Sequence, residues 1–87
     1  MSDHKSILLE ADRLVNGDRD KSYGGWEEDF GRTAQLASII TKKELTALDI
    51  IQIMVCVKLS RLTHRYGHDS IVDLCGYASG WSELEEK

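Results

Sequence analysis

The sequence contains no proline, only two cysteines and a single phenylalanine in 87 residues. Without proline, helix ends must be set by glycine, asparagine and capping residues instead. Two cysteines cannot staple a small secreted fold, which excludes a disulfide scaffold. Cys56 and Cys75 are expected to be reduced and packed in a core, as free cysteines usually are. No stretch approaches the ~20 apolar residues that span a bilayer. Ile7-Leu8-Leu9 is cut short by Glu10, so no secretory signal core forms and an intracellular location is expected.

What is present is globular in kind. Hydrophobic residues make up 41% of the chain, and fifteen acids against eleven bases give a formal charge of -4. That composition excludes collagen-like, mucin-like and generally disordered chains. A mass of 9.8 kDa fits one domain over residues 1–87, with frayed ends at 1–5 and 83–87. A chain this short buries only about 60–65% of its extended surface. A deep private pocket is hard to build at that size. An oligomer would bring extra burial and a better cleft.

The periodicity predicts an all-α bundle of about four helices. Ser6 caps the first, in which Ile7, Leu8, Ala11, Leu14 and Val15 recur at helical spacing until Asn16-Gly17 stops it. Residues 17–25 are polar and read as a loop. A second helix spans Trp26 to Ile40 on a stripe of Trp26, Phe30, Ala34, Ala37 and Ile40. Glu27, Glu28 and Asp29 suit its first turn, where the helix dipole favours acids. Thr41-Lys42-Lys43-Glu44 has capping-box spacing and predicts a third helix reaching Tyr66, ended by Gly67. Between Ile50 and Val57 only Gln52 is polar, so this long helix must be covered on most sides, and it suits oligomerisation. Asp69-Ser70 opens a fourth helix on Ile71, Leu74, Ala78, Trp81 and Leu84. Gly76 and Gly80 within it predict close approach by another helix, offsetting about 1 kcal/mol of lost propensity each.

Charge is uneven. Residues 42–68 carry five bases and two acids, whereas residues 69–87 carry one base and five acids. Lys58, Arg61 and Arg65 share one helix face, and Asp69 and Asp73 share a face on the next. A turn at Gly67-His68 folds these faces together. Two readings follow. One is an ion-pair network that closes a helical hairpin. The other is a phosphate–metal site, with guanidinium and ammonium groups on phosphate oxygens and the aspartates on Mg²⁺. His64 and His68 are four apart, but the three protein ligands of a zinc site are missing. Nucleic acid is not an expected partner: the basic stripe is short, the net charge is negative and no helix-turn-helix or RNP pattern occurs. The loop lacks the P-loop pattern.

The ordered set Asn16-Gly17-Asp18-Arg19, Tyr23-Gly24, Glu28-Asp29-Phe30, Ile40-Thr41, Met54, Lys58, Arg61-Leu62, His68-Asp69-Ser70, Val72-Asp73 and Gly76-Tyr77-Ala78 resembles a family of short phage and prophage proteins. The likeness covers about Ile7 to Ala78. That family in turn is distantly similar to the all-helical MazG-type nucleoside triphosphate pyrophosphohydrolases.

The resemblance implies a phage-type protein of nucleotide metabolism in the cytoplasm of an infected or lysogenic bacterium. It would be a Mg²⁺-dependent (d)NTP pyrophosphohydrolase or a nucleotide binder, working as a homodimer or larger homo-oligomer and without a membrane. Glu28, Asp69 and Asp73 would hold Mg²⁺, and Glu28, Lys58, Arg61 and Asp73 would form the catalytic set. Arg19, Tyr23, Arg65 and Tyr77 would contact the substrate. The sequence departs from the MazG pattern of an ExxE pair and an ExxD pair. Asp69 and Asp73 are spaced four rather than three, and Glu28, flanked by Glu27 and Asp29, stands alone where the first pair would be. The alternative is a non-enzymatic oligomeric phage interaction protein whose charged cluster is a structural salt-bridge network.

Overall fold

The structure, a computed structural model, describes residues 4–19 and 24–86, with the side chains of 6–17 and 24–86. These residues form four α-helices and no strand. Helix α1 (His4–Arg13) runs on into a π-helical segment, Leu14–Arg19. Asn16-Gly17 therefore does not stop the first helix, as the sequence suggests, but lies inside the wider π turn. Helix α2 spans Trp26–Thr41, α3 spans Ala47–His64 and α4 spans His68–Glu85.

The start of α3 corrects the expected boundary. Thr41-Lys42-Lys43-Glu44 closes α2 instead, with Lys42 in the left-handed conformation (φ 59°). The capping box belongs to Thr46 and Asp49. The Asp49 amide donates to the Thr46 hydroxyl (3.2 Å), and the Thr46 amide donates to the Asp49 carboxylate (2.9 Å). Ser38 fixes the connection by accepting the Leu45 amide (2.9 Å) while donating to the Ala34 carbonyl (2.7 Å).

The core is built on Trp26, Phe30, Ala34, Ile50 and Ile51, with Met54, Tyr77, Trp81 and Leu84 packed against it. The α2 stripe expected from the sequence thus faces inward over its first half. Ile40, at its far end, is exposed instead. Leu84 in the last turn of α4 is held by this packing, so α4 continues regularly to Glu85. Both cysteines are free thiols, but they depart from the expected core placement: Cys56 is exposed and Cys75 half-buried, because neither lies on the inner stripe of its helix.

Gly76 and Gly80 are both buried. A Cβ on Gly80 would lie 2.5 Å from the Trp26 ring and 2.8 Å from Ile51 Cδ1, and one on Gly76 would lie 3.2 Å from a Val15 methyl. Trp26 and Val15 occupy the space that side chains at these positions would need, which is the close approach expected from the sequence.

Candidate functional site

Helices α3 and α4 are antiparallel neighbours joined by a short turn at residues 65–67. An ion pair holds them together. Lys58 Nζ lies 2.7 Å from Asp73 Oδ2. Lys58 is 8% exposed, whereas the Asp73 side chain is 36% exposed. A buried ammonium needs a charged partner, and Asp73 supplies it while keeping a side toward solvent. Lys58 is seven residues after Ile51, and so falls on the same inner stripe of α3.

The pairing of 58 with 73 sets the register of the two antiparallel helices, so Arg61 and Leu62 come level with Asp69 and Ser70 nearer the turn. Arg61, Arg65 and Asp69 are exposed. Among the described residues none of these three takes part in an ion pair or hydrogen bond through its side chain. The expected network of Arg61 and Arg65 with Asp69 and Asp73 therefore does not form. Among the described residues, the Lys58–Asp73 pair is the one member of that network present.

The other candidates are spread more widely. Glu28 is exposed in the first turn of α2, against Gly24, and accepts from Arg32 at 3.3 Å. Among the described residues no three His, Cys, Asp or Glu side chains are grouped as metal ligands would be. A single chain thus does not bring Glu28 together with Asp69 and Asp73. Tyr77 joins an aromatic trio, its ring 5.9 Å from Trp26 and 6.1 Å from Phe30, so its ring is taken up by packing. The Arg19 side chain and all of Tyr23 lie outside the described residues.

One contact had no signal in the sequence. His68, at the start of α4, pairs through Nε2 with the Glu10 carboxylate of α1, 58 positions away. Helical periodicity speaks only to neighbours three and four apart and is silent on such a pair. Beside it, Glu10, Arg13, Leu14, Asp69 and Val72 line a hollow of about 210 Å³. A second hollow of about 180 Å³ lies between α1 and α4, floored by Gly76. Both are smaller than the roughly 300 Å³ at which small-molecule pockets begin, so neither would enclose a nucleotide.

Comparison with known proteins points to a phage family. Residues 6–85 match the family described as Domain of unknown function (DUF6378), and the chain belongs to that family. It is similar to the Gene 55 protein of Mycobacterium phage D29, 40% identical over 84 residues that make up 95% of this chain and 56% of that protein. The Gene 55 protein of Mycobacterium phage L5 is 35% identical over 82 residues, 92% of this chain and 53% of its own length. The chain spans about half the length of these curated relatives. No solved structure matches it. These matches support the phage family, and they show no MazG-type likeness. Among the described residues no helix is long and apolar enough to cross a membrane.

Proposed function

We propose that the chain binds the phosphates of a nucleotide, with Mg²⁺, at the α3–α4 end, and serves phage nucleotide metabolism. One observation carries this reading. Beside the satisfied Lys58–Asp73 pair, the same seam leaves two guanidinium groups and one carboxylate without a side-chain partner among the described residues. Arg61 and Arg65 suit phosphate oxygens, which a planar fork of donors recognises bidentately. Asp69 suits a hydrated Mg²⁺, which is commonly held by one or two carboxylates plus substrate phosphates rather than by a protein cage. Lys58 and Asp73 then set the spacing of the two helices, with the Asp73 side chain still part-exposed. Glu28 is left to its pair with Arg32. The reading is one of binding, because among the described residues no three carboxylates are grouped as a hydrolytic centre would need.

The test is thermal unfolding with common NTPs and dNTPs, with and without Mg²⁺. A ligand of the folded state raises the melting temperature once it exceeds its Kd. A shift that requires Mg²⁺ and is lost in Arg61→Ala supports the site. No shift with any nucleotide removes it and favours the second reading, a non-enzymatic oligomeric interaction protein. That second reading draws on a different observation, the large apolar side chains exposed on α2.

A further inference from the structure

Arg13 ends α1 and is exposed. The one acid three or four residues from it along the helix is Glu10, on the same face. That carboxylate is taken by His68 of α4. Arg13 is thereby left without an ion pair or side-chain hydrogen bond among the described residues. Asp69, across the junction of α1 with α4, has none either. The two nonetheless line one hollow of about 210 Å³, together with Glu10, Leu14 and Val72. A guanidinium and a carboxylate thus border the same small space without pairing.

We propose that Arg13 is a phosphate-binding residue of the nucleotide site, so that α1 completes a site begun by α3 and α4. The proposal rests on the nucleotide reading above and deepens it, because Asp69 belongs both to the seam and to the hollow. A Mg²⁺-bound polyphosphate is a ligand that uses both charges side by side. Its hydrated cation suits Asp69, and its phosphate oxygens suit the planar fork of Arg13. The size of the hollow fits that end of the ligand alone. About 210 Å³ admits a phosphate group and a few waters of about 30 Å³ each, and leaves sugar and base outside. Glu10 is the one group there that would repel phosphate without holding the metal, and its contact with His68 keeps it occupied.

Isothermal titration calorimetry of the whole chain tests it, with common NTPs, dNTPs and inorganic tripolyphosphate, each with Mg²⁺. Arg13→Ala is expected to weaken every ligand that the wild type binds, tripolyphosphate included, by about tenfold or more, the loss that one charge-assisted hydrogen bond brings. The melting temperature without ligand should stay at the wild-type value, since the side chain is exposed and has no partner among the described residues. Arg13→Lys keeps the charge but not the fork, and should fall between the two; it also serves should the alanine variant fold poorly. Equal affinities in wild type and Arg13→Ala overturn the inference, and if Arg61→Ala still loses binding the nucleotide reading stands without it. A loss confined to nucleotides, with tripolyphosphate unaffected, overturns the assignment to phosphate. A wild-type protein that binds none of these ligands overturns both.

Discussion

Lys58 and Asp73 face each other across α3 and α4 at 2.7 Å, and only the aspartate keeps a substantial water-facing side. That asymmetry decides what each deletion does. Removing Asp73 leaves a buried ammonium without a partner, at the lower end of the roughly 3–5 kcal/mol typical of such losses because Asp73 is itself part-exposed. Asp73→Asn should therefore lower the melting temperature by about 12–24 °C, taking roughly 3 kcal/mol at about 4–8 °C for each. Lys58→Met leaves a carboxylate that water can reach, and should cost far less. Thermal unfolding of both variants checks the order; equal losses would contradict it.

Gly80 and Gly76 separate close packing from helix propensity. Alanine gains about 1 kcal/mol over glycine inside a helix. At Gly80 its methyl would meet Trp26 and Ile51 well inside contact distance, and overpacking of this kind costs about 1–3 kcal/mol. Gly80→Ala should be clearly destabilising in urea titration. At Gly76 the single neighbour is a Val15 methyl at 3.2 Å, and Gly76→Ala should fall within about 1 kcal/mol of wild type, the size of the propensity gain.

Thr46→Ala removes a hydroxyl that accepts the Asp49 amide. It should cost about 1 kcal/mol, as loss of an N-cap typically does. Thr41→Ala, by contrast, removes only a hydroxyl that donates to the Ala37 carbonyl within α2. It should change stability by less than Thr46→Ala in the same titration.

The binding and stability roles of the α3–α4 seam should come apart by residue. Arg61→Ala and Asp69→Asn remove exposed groups with no side-chain partner among the described residues. Both should leave unfolding within about 0.5 kcal/mol of wild type while weakening Mg²⁺–nucleotide binding. Isothermal titration calorimetry beside a melting curve reads both quantities.

Much of the fold was legible in the sequence because it depends on local spacing. The stripe of Trp26, Phe30 and Ala34 and the glycines of α4 are visible at intervals of three and four. Boundaries were less legible where two signals competed. Thr41 and Thr46 are each followed three residues on by an acid, and the Ser38 hydrogen bond to Leu45, invisible in sequence, settles that the helix begins after Thr46. The site was legible only as residue types. Lys58, Arg61 and Arg65 share a face by spacing, but which of them is buried depends on α4. The pair of His68 with Glu10 depends on how α1 docks. The family likeness groups Glu28 with the aspartates, whereas in the structure it lies with Arg32 in the first turn of α2.

The most direct test of the central claim is thermal unfolding of the wild-type and Arg61→Ala proteins with a panel of nucleotides, with and without Mg²⁺. The account predicts a rise in melting temperature for wild type with at least one nucleotide, dependent on Mg²⁺, and a smaller or absent rise in Arg61→Ala from an unchanged baseline. No rise for any nucleotide, or an equal rise in both proteins, would contradict a phosphate site at the α3–α4 end.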